Sequence, residues 1–446
     1  MIRRGISLGG GARLVALMCV AEILCMAGFA TYPALLPLLR AEWGLSNTAA
    51  GFVGGVLFLG YVVAVPVLTS LTDRFDARRI YLGSCLVAAS GSAVFALFAH
   101  GFAGALAAQA LFGIGFAGVY MPGLKAMSDR IGEELQSRAT ALYTSLSGFG
   151  LAGSYFLTGA VSAHASWRIA FALAAIGPVA AAGLVFLAMA PQAPKPAASR
   201  PGFFASFALV FRNKPALGYI SGYVAHCWEL YGSRAWMVAF LTFAAGSATG
   251  SAGKIGAPTI DAPTLASIIS LGGIASSIGC NEFAKRFGRA NLVTAIMATG
   301  FVFGIATGLS WQVSFAASIA LLACYYATVM ADSGALTAGT VAAALPEQRG
   351  ATLGVHSMLG FTAGLVAPTS FGIILDLAGG AQSGRAWAAS FTVLAVPNLI
   401  AIAVLRRLAS RPAPAGLAPS VATRFAAPLG AQRDLSAGRR PGALGR

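Results

Sequence analysis

Apolar residues run along this chain in long blocks, separated by short polar gaps. A helix needs about 20 mainly apolar residues to cross the hydrocarbon of a bilayer. Twelve blocks meet that length, at roughly 13–38, 46–70, 80–99, 102–124, 139–162, 168–190, 216–245, 263–284, 291–309, 312–336, 350–377 and 386–407. The expected class is an all-α integral membrane protein with twelve transmembrane helices. The gap Pro191–Pro215 is the longest on its side, and its prolines forbid a regular helix at its start. It divides the chain into a six-helix bundle over 1–190, a linker over 191–215 and a second six-helix bundle over 216–408. A short amphipathic piece, Phe203–Arg212, is expected at the end of the linker. The tail 409–446 is rich in Pro, Ala, Gly and Arg and reads as a disordered basic extension.

Composition agrees with this pattern. The chain is 57% apolar and 10% charged, with a mean hydropathy of +0.76, whereas a soluble domain carries about 25% charged residues. Its 55 glycines suit helices that pack closely in a membrane. A net charge of +16 would otherwise suggest a nucleic-acid partner. The placement of the bases excludes that reading, because they occupy every second gap. One set of gaps holds the arginine-rich loops and both termini, while the other holds only Arg40, Arg168, Lys254 and Arg385. Lys and Arg concentrate on the cytoplasmic side of membrane proteins. The chain is therefore expected to be a multi-pass protein of the plasma membrane, the inner membrane of a bacterium, with both termini cytoplasmic. The first block is long and lacks a small-residue cleavage site, so it reads as an uncleaved span. The six cysteines form no CxxC pair and no metal spacing, so neither a metal nor a cofactor is expected.

The gap after the second block reads TSLTDRFDARR, Thr69–Arg79. An echo, CNEFAKRFGR, follows at half-chain spacing over Cys280–Arg289. Arg74, Phe75 and Arg78 match Arg286, Phe287 and Arg289 with one residue dropped, which suggests one unit used twice. The first loop resembles the signature between the second and third helices of the major facilitator superfamily, an Asp-Arg pair followed by a glycine and paired arginines. Asp73, Arg74, Arg78 and Arg79 carry the match, and Thr69 and Asp76 stand where that signature has glycine. Arg138 and the pair Trp167–Arg168 extend the resemblance, whereas Gln109 replaces an arginine of the fourth helix. The fifth helix has Gly148, Gly150 and Gly153 without the glycine-proline pair of proton-driven drug exporters. The resemblance implies two bundles rocking about a central site. It also implies a gate at the cytoplasmic face at Asp73, Arg74, Arg78 and Arg79, with Asp73 capping the eleventh helix near Gly350. Arg286 and Arg289 of the echo, and Asp332 and His356 by their place near the inner ends of the tenth and eleventh blocks, are expected at the same gate. The glycines of Gly113-Ile-Gly115-Phe-Ala-Gly118 match a dinucleotide motif but lie inside one apolar block, so they read as helix-packing glycines. The pairs Gly51/Gly55 and Gly360/Gly364 read the same way.

Ionisable residues inside the blocks carry the substrate chemistry, because a charge at the bilayer centre costs at least about 2.5–3.5 kcal/mol. They are Glu22, His226, Glu229, Arg234, Asp332 and His356. His226 and Glu229 share one helix face. Under the half-chain repeat, Glu22 and Glu229 hold equivalent helices and are expected to face each other across the cavity as proton-coupling acids. Arg234 and His226 are the candidates for binding an anionic group. Structural readings compete: a packing histidine at His226, a Glu229–Arg234 ion pair, and an interhelical hydrogen bond at Glu22. The expected function is a secondary active transporter of a small solute, proton-coupled, with an organic anion as cargo. Alternatives are a drug or metabolite efflux antiporter of the same fold, or a sensor that moves nothing. No HExxH, nucleophile–base pair or acidic cluster supports an enzyme. The expected partners are the small-molecule substrate, a proton or other coupling ion and the lipid bilayer, with no nucleic acid, and the protein is expected to act as a monomer.

Overall fold

The computed structural model describes residues 8–193, 210–251, 260–345 and 348–409. Among these, all regular structure is helical. The start of the expected amphipathic piece Phe203–Arg212, and the tail from 410 onward, lie outside the described residues.

The helices are α1 (Leu8–Cys25), α2 (Thr31–Glu42), α3 (Asn47–Leu71), α4 (Ala77–Phe98), α5 (Phe102–Ser128), α6 (Glu133–His164) and α7 (Trp167–Ala188). After the linker come α8 (Lys214–Ser251), α9 (Ala262–Phe287), α10 (Arg289–Leu309), α11 (Phe315–Ala331), α12 (Ser333–Ala343), α13 (Arg349–Leu377) and α14 (Gly384–Ala409). Nine helical stretches among the described residues are long and apolar enough to cross a membrane. α6, α8 and α9 run between them, 32, 38 and 26 residues long. The order is consistent with twelve spans in two six-helix bundles.

Two expected spans are broken. The first divides at a 3-10 turn, Met26–Gly28, into α1 and α2. The tenth divides at Asp332, between α11 and α12. Hydrophobic length cannot show these breaks, since the apolar run continues through both. Backbone groups freed at such a break are tolerated in a membrane only where protein or a cavity meets them. At the first break, Ser154 of α6 does so: its hydroxyl donates to the Ala27 carbonyl at 2.7 Å and accepts from the Ala30 amide at 3.0 Å.

Glycine brings the helices together, as the sequence motifs anticipated. A side chain at Gly113 would strike the Leu57 carbonyl, one at Gly115 the backbone of Ala88, and one at Gly118 the Ser84 hydroxyl. The GxGxxG triplet is therefore a packing face between α5 and its neighbours α3 and α4. Aromatic clusters fill both bundles: Phe95 stacks on Phe171 at 3.7 Å in the first, and Trp236, Phe371 and Trp387 cluster in the second.

One end of the molecule carries the arginine-rich connections. Asp76 caps the start of α4, accepting from the Arg78 amide at 3.0 Å. It also takes both of its short contacts with Arg130 Nη2 (2.8 and 2.9 Å) and one from the Gln192 amide at 2.8 Å. Arg130 closes the arrangement by donating to the carbonyls of Ala126 and Ala190. Three connections of the first bundle are thus tied to one carboxylate. The sequence directed attention to Asp73, but that side chain is exposed, and among the described residues it makes no hydrogen bond or ion pair. The echo loop is built differently. A single residue, Gly288 with φ +80°, joins α9 to α10, so no acid caps α10.

Burial pushes the Asp76 carboxyl up, but Arg130 and the Gln192 and Arg78 amides outweigh it and hold the group below the usual carboxylate range. Its stabilisation is complete above the ordinary carboxylate pKa and fades as pH falls through the lowered folded value. Asp76→Asn leaves the Arg130 guanidinium, 9% exposed, without its counter-charge, at an expected cost of about 3 kcal/mol. The Tm of the purified protein should drop at neutral pH, and the gap from the parent should close in acid. A gap independent of pH would show that the pair is not ionic.

Candidate functional site

The buried ionisable residues of the spans sit on α1, on the long α8, at the α11–α12 break and on α13, and the structure supplies each with a partner. Glu22 is fully buried, and Tyr143 of α6 donates to its Oε2 at 2.8 Å. Its Oε1 has no hydrogen-bond partner among the described residues. Glu229 is 2% exposed and accepts from Tyr325 of α11 at 2.9 Å. Neither carboxylate has a cation within ion-pair distance among the described residues. Each lies in its own bundle, and no hydrogen bond or ion pair joins them. Each is held by a tyrosine of its own half.

His226, one turn before Glu229, pairs with Asp332 through Nδ1–Oδ1 at 2.7 Å. Both are almost fully buried. Asp332 sits at the break between α11 and α12, which presents its side chain to α8. His226 and Asp332, expected at substrate and gate respectively, therefore form one unit. Tyr223 extends it, stacking on His226 at 5.6 Å and on His356 at 3.6 Å. His356 in turn meets the Thr340 hydroxyl at 3.1 Å.

Arg234 is placed differently from all of these. Its Nε donates to the Tyr326 hydroxyl at 2.8 Å, and its guanidinium lies 5.8 and 5.9 Å from the Tyr326 and Tyr231 ring centroids. A second, weak contact reaches Met330 Sδ at 3.7 Å. Among the described residues no carboxylate lies within ion-pair distance, so the Glu229–Arg234 pairing is not made. Tyr155, from the first bundle, donates to the Arg234 carbonyl at 2.6 Å. Arg234 thus stands where the halves meet. Next to it an aromatic wall crosses the same boundary: Phe58 packs on Tyr231 at 4.1 Å, and Tyr61 on Phe361 at 4.3 Å.

The remaining expected gate residues lie at the basic end. Arg74 and Arg79 are exposed and line a hollow of about 280 Å³ with Asp76 and Gln192. Arg78 is buried, donates to the Phe186 carbonyl at 2.8 Å and covers the Phe186 ring. Arg286 lies over Phe287, and Arg289 reaches the Ala338 carbonyl at 3.4 Å. The side chain of Lys285 lies outside the described residues.

Sequence reasoning missed the tyrosines as partners. The signal was present at Tyr325–Tyr326, two adjacent hydroxyls inside an apolar run. Adjacent residues on a helix point about 100° apart, and these two serve an acid and a base on the same facing helix. Tyr155 carried no such signal.

A model of the Major Facilitator Superfamily matches residues 18–338. The niacin transporter NiaP of Acinetobacter baylyi is 24% identical over 137 residues, and the match covers 31% of each chain, about a third of that relative's length. Among solved structures, a bacterial homolog of the human lysosomal transporter Spinster, inward-facing and unoccupied, is similar with a TM-score of 0.66. Its identity is 16%, with 90% of this chain and 95% of that one covered. A mutant of the nucleoside transporter NupG gives a TM-score of 0.67 at 13% identity, covering 89% and 99%.

Proposed function

The chain belongs to the Major Facilitator Superfamily, and from that premise we propose that it is a proton-coupled secondary transporter of a small organic anion. It works in the plasma membrane, with the basic end and both termini cytoplasmic, and opens its central site alternately to each side.

Arg234 carries this reading. A guanidinium stays charged in proteins, and an intramembrane cation without a counter-ion is costly. Here the partners are a tyrosine hydroxyl, a thioether and two ring faces, none of which supplies a negative charge. A substrate carboxylate would supply it. Because Tyr155 and Tyr326 come from opposite halves, an anion held at Arg234 would touch both and bias their relative position. The aromatic wall at Phe58, Tyr61, Tyr231 and Phe361 suits a cargo with a flat apolar body. The relative named for niacin, a pyridine carboxylate, agrees with that chemistry.

Glu22 and Glu229 are the coupling acids of this proposal. Each is buried and held by a tyrosine, with no cation beside it, so a proton is what neutralises it there. His226–Asp332 shares the second bundle with Glu229 and offers a further place for a proton.

Two measurements test the proposal in proteoliposomes. Arg234→Gln should weaken binding of an aromatic monocarboxylate such as nicotinate by at least about thirtyfold, the equivalent of losing one buried charge partner worth 2 kcal/mol or more. Arg234→Lys should recover only part of it. Equal affinity in all three proteins would remove Arg234 from the site. Glu229→Gln should abolish accumulation driven by a pH gradient while leaving counterflow intact. Undiminished accumulation would mean that Glu229 is not the coupling acid.

A further inference from the structure

Helix α3 begins Ser46-Asn47-Thr48. The first four amides of any helix lack partners within it. Ser46 satisfies the Ala49 amide at 3.1 Å. The amides of Asn47 and Thr48 turn to a residue of the other bundle, Asp376, more than three hundred positions away. Oδ1 of Asp376 accepts from the Asn47 amide at 3.1 Å and from its Nδ2 at 2.7 Å. Oδ2 accepts from the Thr48 amide at 2.8 Å and from its hydroxyl at 2.7 Å. One carboxylate thus receives four hydrogen bonds from the start of a helix in the opposite half.

The position of Asp376 is locally unfavourable. It lies in the last turn of α13, where the helix dipole is negative and opposes an acid. Its charge instead meets the positive start of α3, and a residue that works against its own helix points to a role outside that helix. The backbones close up around it. Side chains at Gly372, Gly51 and Gly55 would strike the carbonyls of Asn47, Pro368 and Leu365. Trp236 of α8 fixes the α13 side of this seam by donating to the Pro368 carbonyl at 2.9 Å.

The same two helices have another aspartate at their opposite end. Asp73 follows α3 and, by the family resemblance, caps the start of α13, but here it is exposed and unengaged. α3 and α13 are 25 and 29 residues long, rods of about 40 Å. They touch backbone to backbone from Gly372 to Gly55. Rods that rock about such a seam close one end by opening the other.

We propose that Asp376 is the latch of the face opposite the basic end: a cap supplied in trans to α3 that holds that face shut and is released when Asp73 engages. This rests on the alternating-access reading above, but its test does not require transport. In a background freed of the six native cysteines, Gly54→Cys serves as reporter. A side chain there lies 3.6 Å from Tyr32 of α2 and 3.8 Å from Ala235 of α8 in the other half, so it fits, and the position is half-buried between the halves. A membrane-impermeant maleimide is applied to the face opposite the basic end, and the labelling rate is read. Asp376→Ala should raise that rate roughly tenfold, the scale of losing a helix cap. Asp376→Asn, which keeps an acceptor but no charge, should fall between Asp376→Ala and the parent. Adding Asp73→Asn should pull the rate back towards the parent. Labelling of Asp376→Ala at the parental rate would overturn the latch. Should that variant fail to insert, Asp376→Asn and Thr48→Ala replace it, and parental rates in both would overturn it equally. A raised rate in a protein that moves no substrate would keep the latch and sink the transport reading.

Discussion

A polar group inside a bilayer has no water to turn to, so protein must answer it. That constraint organises this molecule. The ionisable side chains in the spans, Glu22, Glu229, Arg234 and the His226–Asp332 pair, each contact a hydroxyl or another ionisable group from elsewhere in the fold. Helix ends obey it too. Arg168 donates to the carbonyls of Ala96 and Ala99 at the end of α4, while Asp76 takes the second amide of that helix. The interior is otherwise apolar and closely packed, so these contacts fix which helices are neighbours and at what height.

Their distribution separates a static part from a moving part. The Asp76–Arg130 cluster, Glu22–Tyr143, Glu229–Tyr325 and His226–Asp332 each lie within one half and bind it into a rigid unit. Contacts that cross between the halves include Tyr155 to the Arg234 carbonyl, the glycine seam of α3 against α13, Phe58 and Tyr61 on Tyr231 and Phe361, and Asp376 to the start of α3. Contacts of this kind must change when the halves move. Arg234, a cation with no carboxylate within ion-pair distance among the described residues, carries one of these crossing contacts on its carbonyl. A ligand charge placed there acts on the interface directly, whereas a proton on Glu22 or Glu229 acts from inside one half.

Much of this was legible in the chain. Spans follow from summed transfer free energy, which depends on local composition, and their order emerged nearly as expected. The packing glycines were legible because close helix approach requires the absence of a side chain whatever the partner. The list of buried ionisable residues was legible because charge in an apolar run is rare and costly.

The partners were decided only by the tertiary structure. The loop motif pointed to Asp73, yet Asp76 holds the arginine. Glu22 and Glu229 each take a tyrosine of their own half as partner. His226 met Asp332 because a break in the tenth span, invisible to hydropathy, turned that acid towards α8. Nothing in the sequence marks Asp376, which caps the start of a helix in the other half. Hydrophobic burial is additive and local, so sequence records it. A hydrogen bond depends on ångström-scale placement of helices far apart in the chain, and only the assembled bundles set that placement.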